Sequence, residues 1–331
     1  MTTVGRKADH LRIAAGQGVA HAGGTGFEQI RLRHRALPER DLAAVSLETE
    51  LLGARLDAPL IVSAMTGGTD EAATINARLA RAACEHGLGL VLGSGRALLD
   101  DPSLLPTYRS ADRPPLLLGN LGAAQIRLHD APERAARLVD MLGADGLTVH
   151  LNAIQEAVQP EGEPQFAGVA AGIAAVVRHL APLPVLVKEV GFGMDAADVA
   201  LLRDAGVAAI DVAGAGGTNW ALVEGRRDDR AAETAAAFAD WGVPTAAALA
   251  DAHAAAPDLP LIASGGLRDG VDAAKALALG ATAAGLARPF LLAARADAAT
   301  ETAATLIRQL RVAVWATGAA SASELGRDHL R

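Results

Sequence analysis

The sequence predicts an α/β protein whose single domain is a (β/α)8 TIM barrel, and two observations support this prediction. Short aliphatic runs that end in small or polar residues alternate with Ala-rich segments of helical period. Eight such runs occur, at residues 59–65, 88–94, 115–120, 145–150, 184–189, 207–213, 259–266 and 281–287. Continuous apolar runs suit strands that are buried on both faces, as in parallel sheets. Eight strands alternating with helices favour a closed barrel over the alternative, an open doubly wound sheet.

The segments between the runs have the features of helices. TINARLARAACEHG (74–87) has helical period and ends at Gly87, where a glycine favours a helix C-terminus, and Gly280 has the same place after AKALALG. Cys84 lies in the first of these patterns and is expected to be buried, as free cysteines usually are.

Two segments do not fit the repeat. Residues 1–58 precede the first strand and are predicted to form an N-terminal arm with cap elements, which leaves 59–331 as the barrel. Residues 219–256 are too long for one helix and its loops, so an insertion is expected after the sixth strand. Within it, Glu224, Arg226 and Arg227 are expected to form an exposed or interfacial ion-pair group. Trp220 and Trp241 are expected to pack the insertion, and the alternative is that they are stacking platforms.

Length and composition exclude several classes of protein. The chain has 331 residues, which suits one barrel of about 250 residues with additions. Its apolar runs are far shorter than the roughly 20 residues of a membrane span, and the N-terminus, MTTVGRKADH, has no apolar signal segment. A soluble, cytoplasmic protein is therefore expected. The formal net charge of -8 argues against nucleic-acid binding, and a single cysteine excludes an internal disulfide.

Polar or Gly-rich residues follow most of the predicted strands, where barrels of this type have their active sites. These strand ends comprise residues 65–68, 94–96, 120, 150–156, 188–189, 214–218, 264–266 and 285–287. Lys188 is the most informative, because it ends the apolar run Pro-Val-Leu-Val and burying an amine is costly without an anion. A structural ion pair with Glu189 is the alternative, although adjacent strand residues point to opposite faces.

Three Gly-rich turns indicate phosphate binding. SGGLRDG (264–270) and GLARP (285–289) follow the seventh and eighth strands, where barrels commonly hold phosphate on backbone N–H groups, and GAGGT (214–218) follows the sixth. Glycine permits this because a Cβ would block the close approach of the backbone. The ligand could be a phosphorylated substrate or a phosphate-bearing cofactor.

A second anionic site is indicated by basic residues in the arm. Arg6, Lys7 and His10 cluster there, and Ser94 and Arg96 lie at the second strand end. Arg offers bidentate donors that match phosphate oxygens. Composition alone favours the alternative that Arg6 and Lys7 are ordinary solvated charges.

Eight motifs in this order resemble type 2 isopentenyl diphosphate isomerases: RKADH (6–10), AMTGG (64–68), GSGR (93–96), GNLG (119–122), HLNAIQEAVQPEG (150–162), KEVGFG (188–193), DVAGAGGTNW (211–220) and SGGLRDG (264–270). The resemblance covers nearly the whole chain. It implies a flavoprotein of isoprenoid biosynthesis that interconverts isopentenyl diphosphate and dimethylallyl diphosphate with reduced FMN and Mg2+, and NADPH as the flavin reductant. It also implies a small diphosphate substrate and a homo-oligomer, a tetramer or octamer.

The same resemblance implies roles for individual residues. The FMN-binding residues would be Ala64, Met65, Thr66, Ser94, Asn120, Lys188, Thr218, Gly265, Gly266, Arg268, Leu286 and Ala287. The substrate-binding residues would be Arg6, Lys7, His10, Ser94, Arg96, Asn152 and Gln155. Glu156 would ligate Mg2+. Lys188 would stabilise the anionic reduced flavin, and His150 and Gln155 are candidates for the second proton transfer by position.

The chain departs from the family pattern at two positions. Gly95 stands where the family usually has Gln, which removes a hydrogen-bonding group near the flavin or substrate. Ala213 stands where Ser is frequent.

Two other functions stay open at this stage. An FMN-dependent 2-hydroxy-acid oxidase or dehydrogenase shares the barrel, but its proton abstractor is typically a His near the seventh strand, where this chain has Ser264-Gly265-Gly266. A non-catalytic flavin- or phosphate-binding barrel would leave Lys188 and Glu156 without a task.

Overall fold

Ten strands are present in the computed structural model of the chain, which describes residues 3–331, and eight of them close into a parallel barrel. The strands are β1 (Thr49–Leu51), β2 (Ala54–Leu56), β3 (Leu60–Val62), β4 (Gly89–Val91), β5 (Leu116–Gly122), β6 (Gly146–His150), β7 (Val185–Lys188), β8 (Ala209–Asp211), β9 (Leu261–Ala263) and β10 (Ala283–Leu286). Neighbours in the barrel follow chain order from β3 to β10, and β10 pairs with β3. The predicted barrel and its eight strands are confirmed.

Helices alternate with these strands and surround them. They are α1 (Thr3–Ala15), α2 (Asp70–Glu85), α3 (Arg96–Asp100), α4 (Ala123–Ile126), α5 (Ala131–Leu142), α6 (Ala153–Val158), α7 (Val169–Leu180), α8 (Ala196–Asp204), α9 (Trp220–Arg227), α10 (Ala232–Ala237), α11 (Thr245–Ala255), α12 (Gly270–Ala278), α13 (Arg288–Arg295) and α14 (Ala299–Thr317). Short 3-10 helices cover Leu42–Ala44, Pro102–Thr107, Ala322–Glu324 and Arg327–His329. Thr69, Asp195 and Asp269 begin α2, α8 and α12 by accepting backbone N–H bonds. Gly87 and Gly280 follow α2 and α12 with φ of +60° and +107°, as their positions predicted.

The interior of the barrel is an aliphatic core that a hairpin closes at one end. Ile61, Leu118 and Ile262 belong to this inner cluster, which also contains the first residues of several strands. Leu51 and Leu56 of the β1–β2 hairpin pack against it and are almost fully buried. Burying each leucine contributes roughly 1.5–3 kcal/mol. The hairpin therefore closes the end of the barrel where the strands begin.

The N-terminal helix α1 lies on its own barrel, packed against α9 and α13. Leu11 and Ile13, two residues of α1, are buried by this packing. Arg288, the first residue of α13, donates hydrogen bonds to the carbonyls of Ala14, Ala15 and Gly16 at 3.3, 3.2 and 3.1 Å. A cation at a helix C-terminus is favourable, because the last carbonyls lack partners within the helix. Arg288 thus fastens α1 across the barrel end.

Two expectations about exposure are wrong. Cys84 is exposed, because the neighbouring Ala82 and Ala83 take the buried positions of α2. Glu224 is fully buried, because α9 packs its face against α1 and α6. The predicted insertion after the sixth barrel strand is present and comprises α9 and α10. No helix within residues 3–331 is long and apolar enough to cross a membrane.

Candidate active site

A cavity of about 540 Å³ opens at the C-terminal ends of the barrel strands, beneath α1. A volume of this size is typical of pockets that bind small molecules or cofactors. Every residue that the sequence assigned to a site lines it: Arg6, Lys7, His10, Ala64, Met65, Thr66, Ser94, Arg96, Asn120, His150, Asn152, Gln155, Glu156, Lys188, Thr218, Gly265, Gly266, Arg268, Leu286 and Ala287. Positions spread over nearly the whole chain therefore meet in one space.

The Gly-rich turns after β8 and β9 pack backbone against backbone at one side of this cavity. A Cβ on Gly217 would lie 2.5 Å from the backbone nitrogen of Gly266, and a Cβ on Gly265 would lie 2.1 Å from the carbonyl oxygen of Gly214. Gly265 also has a φ of +100°, which side chains rarely permit. Leu286 and Ala287 continue the lining to the N-terminus of α13. Bare backbone beside a helix N-terminus fits a phosphate group.

Several buried polar atoms on the wall have no partner among the described residues. They are Ser63 Oγ, Thr66 Oγ1 and Asn152 Oδ1, and all three residues line the cavity. Buried polar atoms are almost always hydrogen-bonded, so these atoms fit the polar groups of a ligand. Ser63 lies one residue before the AMTGG motif, and no predicted site includes it.

Three titratable residues lie side by side where three strands end. His150 is paired in register with Lys188, and Lys188 with Asp211. Lys188 Nζ donates to the backbone carbonyl of Glu189 at 2.5 Å, while the Glu189 carboxylate accepts the N–H groups of residues 190–192 at 2.6 Å each. The ion pair between the two side chains, considered as an alternative, is thus not how Lys188 is held. Burial lowers the pKa of Lys188, opposed by Asp211 and Glu189, and burial raises the pKa of Glu189 to about 7.

His150 is neutral and has a defined tautomer. Burial, together with the charges of Lys188 and Lys7, lowers its pKa to about 3. Asn120 donates from Nδ2 to the carbonyl of Leu92 at 3.0 Å, which turns its Oδ1 towards His150 Nδ1 at 2.8 Å. This amide orientation assigns the proton to Nδ1 and leaves Nε2 as an acceptor.

Lys7 is held inside the site by Tyr108. Its Nζ donates to Tyr108 Oη at 2.6 Å and to the carbonyl of Ser94 at 3.0 Å, and Tyr108 Oη donates to the same carbonyl at 2.8 Å. Burial, and secondarily Arg6, lowers the pKa of Lys7 to about 7. The alternative of a solvated tail charge is therefore wrong for Lys7. Tyr108 went unnoticed in the sequence because no motif contains it.

Glu224 is a fully buried acid beside the site. Its Oε1 accepts Gln155 Nε2 at 2.7 Å and lies 2.8 Å from His10 Nε2. Asn152 Nδ2 lies 3.2 Å from Gln155 Oε1, so both ends of the Gln155 amide are fixed. Trp220 packs against the apolar cluster of the insertion, as predicted, and it also lines the cavity with its ring 5.3 Å from that of His10.

Glu156 has three donors and room for one more ligand. Its Oε1 accepts Asn152 Nδ2 at 2.9 Å, and its Oε2 accepts Gln159 Nε2 at 2.6 Å and the backbone N–H of Glu163 at 2.8 Å. A carboxylate offers about four acceptor sites. No cluster of three His, Cys, Asp or Glu residues suited to a metal occurs within residues 3–331. Glu156 therefore fits a cation that brings most of its ligands with it, as Mg2+ does on phosphates.

The two departures from the family pattern differ in location. A Cβ on Gly95 would lie 2.5 Å from Leu138 Cδ1, so the absent side chain is directed at α5 and not at the cavity. The expectation that Gly95 removes a group beside the flavin or substrate is wrong. Ala213 does line the cavity, and it has a φ of +36°, a strained value for alanine.

Known proteins are similar to this chain over almost its whole length. The sequence profile described as FMN-dependent dehydrogenase matches residues 5–98 and 133–331. The chain is 49% identical over 329 residues to an isopentenyl-diphosphate delta-isomerase of Xanthobacter autotrophicus, covering 97% of this chain and 96% of that one. It is 48% identical over 335 residues to the protein of the same name from Stutzerimonas stutzeri, covering 99% and 96%.

Among solved structures, the chain is similar in fold to mandelate oxidase with (S)-2-phenylpropionate, with a TM-score of 0.65, 21% identity and coverage of 98% and 97%. It is also similar to a flavocytochrome b2 mutant with benzoylformate, with a TM-score of 0.68, 20% identity and coverage of 93% and 77%. At these identities the likeness shows a shared barrel fold.

Proposed function

The chain belongs to the FMN-dependent dehydrogenase family, among its isopentenyl-diphosphate delta-isomerases, and from this we propose that it interconverts isopentenyl diphosphate and dimethylallyl diphosphate with reduced FMN and Mg2+. The observation that carries this proposal is the convergence of the motif residues on one cavity with a backbone cradle. We further propose NADPH as the flavin reductant, a cytoplasmic location and a tetrameric or octameric assembly.

The cavity wall fits FMN on two counts. The turns at residues 214–218 and 264–266, with the start of α13, would hold its phosphate, and the unpartnered hydroxyls of Ser63 and Thr66 would meet its polar edge. When bound, reduced FMN would supply an electron-rich ring with an exchangeable proton at N5 beside the alkene. Lys188 lines the same cavity, and its ammonium would favour the anionic form of the reduced ring.

The other wall would hold the substrate. Arg6, Lys7, His10 and Arg96 would bind the diphosphate, and Glu156 would ligate the Mg2+ that accompanies it. Gln155, fixed by Glu224, would present its amide to the hydrocarbon. Neutral His150 would accept or hold a proton at Nε2.

The direct test is an anaerobic assay of FMN-loaded protein with isopentenyl diphosphate, Mg2+ and a reductant. We expect dimethylallyl diphosphate to form without stoichiometric loss of NADPH. In a parallel assay with a 2-hydroxy acid and oxygen or another electron acceptor, net oxidation of the acid by a protein that shows no isomerisation would assign the chain to the oxidase alternative. A colourless protein that takes up no FMN and turns over no prenyl diphosphate would contradict the proposal altogether.

Glu156→Gln is expected to raise the Mg2+ concentration for half-maximal isomerase activity by at least about tenfold, because loss of even an outer partner of a metal site costs about 10–100-fold in affinity. FMN should remain bound, since Glu156 is not part of the Gly-rich turns that would hold the FMN phosphate. The Mg2+ dependence of turnover and the flavin absorbance of the same sample measure the two effects. A fully active variant with unchanged Mg2+ dependence would remove Glu156 from the metal site.

Affinity for inorganic pyrophosphate is expected to fall as pH rises through about 7, by up to about tenfold per pH unit. The reason is that the pKa of free Lys7 lies near 7, so the ammonium that attracts the anion is present below this pH and lost above it. Calorimetric titrations between pH 6 and pH 8.5 measure the slope. Lys7→Met should flatten this part of the profile, while the titration of pyrophosphate itself affects both proteins equally. Parallel profiles would show that Lys7 does not titrate in this range.

A further inference from the structure

Glu163 forms an ion pair with Arg96, an arginine of the proposed diphosphate site. Arg96 Nη1 and Nη2 donate to the two carboxylate oxygens of Glu163 at 3.1 and 3.0 Å. This is the paired geometry that fixes the plane of a guanidinium group. Arg96 lines the cavity, whereas within residues 3–331 the lining does not include Glu163. The carboxylate therefore approaches Arg96 from outside the space where a ligand would lie.

The segment that carries Glu163 is hydrogen-bonded to Glu156, the proposed Mg2+ ligand. The backbone N–H of Glu163 donates to Glu156 Oε2 at 2.8 Å. A Cβ on the preceding Gly162 would lie 1.8 Å from the carbonyl oxygen of Glu156, so this turn lies directly on α6. The main chain at residue 163 is thus set by the loop after β6, while its side chain reaches α3, after β4. One residue joins the two sides of the proposed diphosphate site.

From this arrangement we propose that Glu163 is a positioning residue that holds Arg96 in the orientation in which it binds the diphosphate. The inference rests on the proposed function. Arg96 is a long, flexible side chain, and its side chain is 35% exposed, so without a partner it would sample several rotamers. A pre-oriented guanidinium loses less freedom when an anion binds. Glu163 can position Arg96 in this way although its own side chain does not line the cavity.

A competing role for Glu163 predicts the opposite effect on anion affinity when its carboxylate is neutralised. If Glu163 occupied the place of the ligand, its neutralisation would tighten anion binding. If it positions Arg96, neutralisation weakens it. The backbone bond to Glu156 is unaffected by a side-chain change, so Glu163→Gln should alter the binding of the diphosphate more than the Mg2+ dependence or kcat.

The test is calorimetric titration of FMN-loaded protein with inorganic pyrophosphate and Mg2+, in a double-mutant cycle of Glu163→Gln and Arg96→Met. We expect Glu163→Gln to raise the pyrophosphate Kd about three- to tenfold, with a matching rise in KM and little change in kcat, as suits a partly exposed paired interaction. In the Arg96→Met background the same change should have no effect, because the group through which Glu163 acts is gone. Glu163→Asp, which keeps the charge but shortens its reach, should fall between. Glu85→Gln, on the exposed last turn of α2, is the matched control for losing one carboxylate.

Each outcome bears on a different claim. An unchanged or tighter Kd for Glu163→Gln, or an equal loss with and without Arg96, overturns the positioning role while the isomerase assignment stands. A wild-type protein that binds FMN but no pyrophosphate overturns the diphosphate site and this inference with it.

Discussion

Lys188→Met is expected to lower isomerase turnover by about 100- to 1000-fold, the usual cost of removing one preorganised electrostatic group. Lys188 ends β7 at the cavity and is held by the carbonyl of Glu189 and the charge of Asp211. Methionine keeps the apolar stem and removes the ammonium. The barrel should still form, because burial already raises the pKa values of Asp211 and Glu189, so each can take up a proton when the cation is lost.

Lys275→Met is the matched control, because Lys275 lies on α12 outside the cavity lining and donates to the carbonyl of Phe27 at 2.8 Å. Lys275→Met also removes a lysine ammonium that is hydrogen-bonded within the fold, but this variant should keep wild-type turnover per bound flavin. The flavin supplies a second readout, since Lys188→Met should make reduction of bound FMN harder while Lys275→Met leaves it unchanged. Wild-type turnover and flavin reduction in Lys188→Met would contradict the assigned role.

The barrel and the composition of its cavity could be predicted because both depend on local order along the chain. Apolar runs separated by helical segments define the strands, and closure of the barrel brings all their C-terminal ends to one mouth. Lys188 and His150 therefore meet in register although 38 positions separate them along the chain. The Gly-rich turns were predictable for the same reason, since their place after a strand fixes their place at the mouth.

Glu224 and Gly95 were placed wrongly, because their surroundings depend on how the helices pack against one another. Glu224 lies in a charged run typical of solvated helices, and only contact of α9 with α1 and α6 buries it. Gly95 lies in a motif at the mouth of the barrel, but α3 begins directly after it. A Cβ at this position would therefore point towards α5. Neither outcome follows from residue order, because both are set by the relative orientation of whole helices.

Arg227→Met is expected to lower the free energy of unfolding by about 3–5 kcal/mol, because it leaves a buried carboxylate without its cation. Arg227 pairs with Glu224 and with Glu161, and its side chain is 4% exposed while that of Glu224 is 0% exposed. Burial would raise the pKa of Glu224, but His10, Gln155 and Arg227 together hold it below its usual value. Denaturant unfolding of the FMN-loaded proteins at pH 7 measures the loss.

The cause of this loss can be separated from simple loss of packing. If the unpaired charge is responsible, Glu224→Gln combined with Arg227→Met should recover a large part of the stability, because the neutral amide no longer requires a cation. The sign of the pH dependence gives a second check. In the wild type the lowered pKa of Glu224 contributes stability above the pKa of the unfolded chain, and this contribution disappears as pH falls. In Arg227→Met the carboxyl would take up a proton at a higher pH, so its deficit against the wild type should be largest at neutral pH and shrink towards pH 4. A deficit that does not change with pH, and that Glu224→Gln does not relieve, would mean that Arg227 stabilises α9 through its packed stem and not through its charge.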